Sequence, residues 1–169
     1  MGFFDKLFGG KAKDENTSKF TNQSKTILTP LQGKVLAQAD IPDETFAQGI
    51  LGPGCGIEPT GDTVYAPFDG TVTQIATTLH AVGMTSSEGT ELLIHVGMDT
   101  VDMKGQGFTA LVKEGQKVTA GTPLLKVDLD AIHAAGHPTA TAIIVTDGAD
   151  DVKMLAEGDV VPGTPLFKV

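Results

Sequence analysis

Short apolar runs separated by turn residues dominate the chain. Continuous or period-two apolar patterns mark candidate strands at 26–29, 34–39, 63–65, 71–76, 80–85, 91–96, 124–127, 140–145 and 164–169. Turn signals punctuate them at Pro59-Thr-Gly-Asp62, Pro67-Phe-Asp-Gly70, Ser86-Ser-Glu-Gly89 and Lys113-Glu-Gly-Gln116. Two segments carry helical spacing instead, 129–135 after Asp128 and 149–156 after Gly148, with Gly136 and Gly158 suited to end them. This pattern predicts an all-β protein, an antiparallel β-sandwich or flattened barrel with short helical segments.

The chain also echoes itself. Thr29-Pro-Leu-Gln-Gly-Lys-Val35 is similar to Ala66-Pro-Phe-Asp-Gly-Thr-Val72. The stretch from Gly115 to Val127 is similar to that from Gly158 to Val169, both ending Gly-Thr-Pro-Leu-x-Lys-Val. These repeats predict a duplicated half-unit. Each half buries one face only, so the two must pack against each other.

Composition narrows the function. The 169 residues are 40% hydrophobic, enough for one domain with a real core, and no run approaches the ~20 apolar residues of a membrane-spanning helix. A net charge of −9 argues against nucleic acid as a partner. All 12 cations are lysines, so phosphate chemistry here would need a guanidinium fork from a partner. The single cysteine, Cys55, closes no internal disulfide, and the start lacks a secretory h-region, so a cytoplasmic address is expected.

Charge is divided unevenly. Residues 1–25 hold five lysines against three acids, whereas 26–169 hold seven against 18. A flexible N-terminal tail, 1–25, is therefore expected ahead of a single domain, 26–169. Within the tail, Phe3, Phe4, Leu7 and Phe8 recur at helical spacing beside Lys6. Residues 1–8 thus form a short amphipathic segment that could rest on a lipid surface.

Candidate chemistry centres on histidine. His133 and His137 read as surface residues. The hairpin built from 80–85 and 91–96, with its turn centred between Ser87 and Glu88, sets His80 directly opposite His95. Alternation points Leu92, Ile94 and Val96 inward, and His95, Leu93, Glu91, His80 and Val82 outward. Asp99, four residues past His95, is close enough to act on an imidazole. Such a group could bind zinc, work as acid and base, or use one imidazole as a nucleophile carrying a covalent group. No HExxH, Walker lysine loop or nucleophile elbow accompanies it.

The run from Leu92 to Phe108, Leu-Leu-Ile-His-Val-Gly-Met-Asp-Thr-Val-Asp-Met-Lys-Gly-Gln-Gly-Phe, resembles the active-site signature of the glucose-type enzyme IIA family of the phosphoenolpyruvate:sugar phosphotransferase system. Pro59-Thr-Gly-Asp-Thr-Val-Tyr-Ala-Pro-Phe-Asp-Gly-Thr-Val72 and Thr78-Leu-His-Ala81 resemble two further family stretches, and MGFFDKLF resembles the membrane-touching start of free-standing enteric-type members. The resemblance implies a phosphocarrier. It would take a phosphoryl group from HPr on His95 and pass it to a cysteine on the IIB domain of a glucose-type permease. His80 would stabilise the phosphoryl oxygens, Thr78 would orient His80, and Asp99 would lie at the rim of the site. An apolar docking ring falls on Phe46, Ile50, Leu51, Leu93 and Val101. Thr45, Ala76 and Leu79 depart from the enteric pattern.

The resemblance also implies regulatory partners: sugar permeases, glycerol kinase and adenylate cyclase. No cofactor is required, although zinc could bridge His80 and His95 to a partner carboxylate. Two other classes share part of the pattern. Biotinyl and lipoyl carrier domains have similar glycine-strand repeats, and Asp102-Met-Lys-Gly105 offers a lysine, but not in their attachment context. Lysostaphin-type zinc peptidases have a related duplicated β-core, but their HxH ligand pair is missing here.

Overall fold

Short strands build most of the molecule, whose computed structural model describes residues 18–169. The strands are β1 Thr26–Leu28, β2 Gly33–Leu36, β3 Gly54–Pro59, β4 Thr63–Tyr65, β5 Gly70–Ile75, β6 Ala81–Ser86, β7 Glu91–His95, β8 Phe108–Ala110, β9 Lys117–Val118, β10 Pro123–Val127, β11 Thr141–Asp147, β12 Lys153–Met154, β13 Asp159–Val160 and β14 Pro165–Lys168. Among the described residues, two short helices, α1 Glu44–Ala47 and α2 Leu129–Ala134, and two 3-10 turns, Gln38–Asp40 and Thr100–Met103, interrupt them. One eight-stranded sheet runs β13-β2-β3-β11-β7-β6-β5-β9, and two three-stranded sheets run β1-β14-β12 and β4-β10-β8. The architecture is an open antiparallel β-sandwich, in the class that the alternating pattern predicts.

The duplication is written into the register. Gly33 pairs with Val160 and Gly70 with Val118, at the two ends of the large sheet. Thr26, Ile27 and Leu28 pair with Lys168, Phe167 and Pro165, while Thr63, Val64 and Tyr65 pair with Lys126, Leu125 and Pro123. Both ladders slip at the same place. Between the halves, Thr29 and Ala66 make matching hydrogen bonds, their N–H groups donating to Thr164 O and Thr122 O at 2.7 and 2.8 Å. The main core lies between the sheets and includes Ile27, Leu31, Ile57, Val72, Met84, Ile94, Leu125, Ile143 and Phe167.

The halves differ where it matters. The β5–β6 connection is a short turn, but the β2–β3 connection is expanded into the 3-10 turn and α1. That expansion covers the outer face of the large sheet with a second apolar cluster of Ile41, Phe46, Met98, Ala142 and Ile144. Gly56 makes room for it, since a Cβ there would stand 2.9 Å from Ile41 Cγ1.

Three expectations change. Residues 149–156 do not form a helix: 153–154 are strand β12, paired with β14, and Leu155 N–H donates to Leu166 O at 2.9 Å. Strand β3 goes unread in the sequence because Gly54 and Gly56 dilute its apolar pattern. Finally, residues 18–25 lie against the domain rather than extending the tail. Ser18 N–H donates to Pro162 O at 2.8 Å, Phe20 packs 5.6 Å from Tyr65, and Lys25 N–H donates to Glu88 at 2.7 Å. The amphipathic segment 1–8 lies outside the described residues.

Candidate functional site

His95 ends β7 at the middle of the large sheet, with Ala81 of β6 on one side and Ala142 of β11 on the other. Its cross-strand partner is thus Ala81, one residue from the expected His80. The reason is the turn. Ser86 and Thr90 close a three-residue loop with Gly89 at φ +93°, rather than a turn centred between Ser87 and Glu88. Val82, expected outward, is consequently buried.

The two imidazoles still meet. Leu79 adopts φ +64° in the turn after Ala76, and its side chain packs on the core, offsetting a backbone conformation unusual for leucine. This takes His80 out of the ladder just before β6. Its carbonyl accepts from Val96 N–H at 2.8 Å, and its ring lies edge-on to that of His95 with centroids 4.6 Å apart. The Thr78 hydroxyl is 2.8 Å from His80 Nδ1.

Each ring is held and desolvated. His95 Nδ1 is 2.9 Å from Gly97 O. A carbonyl only accepts, so Nδ1 carries the proton and Nε2 keeps its lone pair. Burial pushes the His95 pKa down to about 4, helped by repulsion from His80; the Gly97 carbonyl and the Asp43 carboxylate oppose this. Burial also lowers the pKa of His80. Both imidazoles are therefore neutral at neutral pH. Gly97 sits at φ +74°, and Thr100 Oγ1 pins the turn by donating to Val96 O at 2.6 Å.

Helix α1 packs against His95. Asp43 caps it by accepting from Phe46 N–H at 3.2 Å, and the Phe46 ring lies 4.9 Å from that of His95. Ile50 is 67% exposed, Val101 51% and Leu51 41%, whereas Phe46 is buried and Leu93 half-buried beneath α1. Asp99 is exposed, in a left-handed conformation at the start of the second 3-10 turn. Asp43, rather than Asp99, is the carboxylate acting on His95. Sequence reading missed Asp43, although Pro42-Asp43 ahead of Glu44 and Phe46 is a legible helix start. Thr45 is exposed and Ala76 half-buried, while His133 is exposed on α2. Among the described residues no group of three or more His, Cys, Asp or Glu gathers as a metal site, so zinc at the pair would need ligands from a partner.

Fold and site together define a β-sandwich domain organised around two neutral, opposed imidazoles. The family model for the phosphoenolpyruvate-dependent sugar phosphotransferase system, EIIA 1, matches residues 25–151. The glucose-specific EIIA component of Halalkalibacterium halodurans is 45% identical over 85% of this chain and 83% of that one. The β-glucoside-specific EIIBCA component of Bacillus subtilis is 47% identical over 72% of this chain, which spans only 20% of that longer protein. The solved glucose permease IIA from Mycoplasma capricolum superposes with a TM-score of 0.80 at 30% identity, covering 89% of this chain and 98% of that one. The chain belongs to the EIIA 1 family of the sugar phosphotransferase system. It is a phosphocarrier, placed between HPr and the IIB domain of a permease.

Proposed function

We propose that His95 accepts the phosphoryl group from phosphorylated HPr and that the permease served is of glucose type. The observation that carries this reading is the 2.9 Å contact from His95 Nδ1 to Gly97 O, which leaves Nε2 as an unprotonated nucleophile. The Nε2 lone pair forms the new N–P bond as the donor's P–N bond breaks. Charge developing on the ring is met by the Gly97 carbonyl and by Asp43. If the Thr78 hydroxyl donates to His80 Nδ1, the His80 proton sits on Nε2, available to the phosphoryl oxygens. Onward transfer breaks the N–P bond as the IIB cysteine sulfur takes the group.

The exposed apolar side chains of Ile50, Leu51 and Val101 serve as the docking rim, with Phe46 and Leu93 beneath them and Asp99 at its polar edge. Regulatory binding of sugar permeases, glycerol kinase or adenylate cyclase would use the same rim, and peripheral lipid contact would use residues 1–8. The test is phosphoryl transfer from phosphoenolpyruvate through enzyme I and HPr, read by intact mass and acid lability. One acid-labile phosphoryl group on His95 is the expected result. Label on another residue, or none with the cognate HPr, would overturn the assignment.

A further inference from the structure

Helix α1 has four residues, too few to hold itself in place, yet it carries the ring that covers His95. Asp43 ties down its start. Its exit, 48–53, runs as turns and meets a strand only at its end, where Pro53 O accepts from Val145 N–H of β11 at 2.8 Å. Besides these backbone bonds, what ties that exit across the insertion is the side chain of Gln38, the first residue of the 3-10 turn on its opposite side. Gln38 Nε2 donates to Phe46 O at 3.0 Å and to Gly52 O at 2.8 Å, and Gln38 Oε1 accepts from Gly54 N–H at 3.2 Å. One half-buried amide thus joins the end of α1, the loop bearing Ile50 and Leu51, and the first residue of β3. No other described side chain bridges these three points.

We propose that Gln38 is a positioning residue for phosphoryl transfer: it holds the α1 lid against His95 and sets the apolar rim offered to the phosphodonor. An apolar side chain of similar length would fill the space, take the side-chain partner from Gly52 O and Gly54 N–H and leave Phe46 O only its backbone donor Gly49 N–H, letting the lid rise. Two consequences follow from the geometry. The Phe46 ring would no longer shield His95, and Ile50 and Leu51 would lose their fixed presentation. The second consequence rests on His95 being the phosphoryl acceptor, whereas the first does not.

The test is Gln38→Met in the full chain, with three readouts. By NMR titration the His95 imidazole midpoint should rise by about one pKa unit as its shield loosens. The KM for phosphorylated HPr should rise roughly fivefold with kcat nearly unchanged, the size expected from losing about one net hydrogen bond's worth of pre-organisation. Amide exchange should quicken at Gly54. If Gln38→Met does not fold, Gln38→Asn, which keeps the amide but is one methylene short, is read by the same criteria. A lowered Tm with His95 titration and KM unmoved would reduce Gln38 to a loop staple and overturn the proposal, as would no change in any readout. If the wild-type protein accepts no phosphoryl group, the His95 assignment fails, while the NMR midpoint still decides whether Gln38 holds the lid.

Discussion

The Nδ1 proton of His95 rests on the carbonyl oxygen of Gly97, two residues further along the chain. A left-handed glycine makes this return possible: at φ +74° the chain turns back directly after β7, and Thr100 ties that turn to Val96 O. The tautomer of the imidazole is therefore set by backbone geometry rather than by a second side chain. The free nitrogen, Nε2, is left for chemistry. Because burial outweighs the favourable charge of Asp43, the ring stays neutral well below its ordinary range.

That depressed pKa links the site to stability. Between the ordinary histidine value and about 4, the unfolded chain binds a proton at His95 that the folded chain does not. Stability is therefore full above about pH 6.5 and falls as pH drops toward 4, by about 3 kcal/mol from this residue. Denaturant unfolding at pH 7 and pH 4.5 should show the loss, and His95→Gln should remove most of this residue's share. A pH slope unchanged in His95→Gln would mean that the ring titrates normally.

The two histidines should separate by function. His95→Gln is expected to abolish phosphoryl acceptance. His80→Gln should still accept, because Nε2 of His95 remains free, but should pass the group to the IIB domain more slowly by on the order of a hundredfold, a typical cost for removing one positioned proton donor. Single-turnover transfer in each direction, followed by intact mass, checks both. Equal loss in the two steps for His80→Gln would show that it serves acceptance as well.

Much of this is legible in the sequence. Pro30 and Pro67, with their following glycines, marked the duplication, and the structure repeats it down to the slipped register of β1 and β4. The meeting of His80 and His95 was also legible, but its geometry was not. A glycine at position 89 permits several hairpin loops, and the choice among them moves every pair by one residue. The helix expected at 149–156 failed because strand pairing with β14 outweighed a weak local preference. The lid was hardest to read. Gln38 and Asp43 act through bonds to backbone that is brought close only by folding, and such contacts leave no periodic trace.

Docking should depend on the exposed rim rather than on the core. Ile50→Asp and Val101→Asp change side chains that are 67% and 51% exposed, so each should leave Tm within a degree or two. Each should raise the KM for phosphorylated HPr about tenfold by placing a charge in an apolar contact. Steady-state transfer at varied HPr concentration reads this directly. An unchanged KM in both variants would move the docking surface elsewhere.

The duplicated architecture makes its own prediction about paired glycines. Gly33 and Gly70 occupy equivalent positions at the two ends of the large sheet, each beside a valine of a two-residue edge strand. A Cβ at Gly33 would stand 2.2 Å from Glu58 O, and one at Gly70 2.2 Å from Thr85 O. In both places the obstacle is partner-strand backbone, which cannot rotate away as a side chain could. Gly33→Ala and Gly70→Ala should therefore each cost on the order of 3 kcal/mol, and by similar amounts. The sites share no direct strand pairing, so the double variant should lose close to the sum. The Gly70→Ala variant should also disturb transfer, since β5 leads into the turn that presents His80, whereas Gly33→Ala should act first on the base of the α1 insertion. Urea unfolding of the two single variants and the double variant measures the costs. Strongly unequal values would mean that the two halves, though matched in register, no longer share one packing solution.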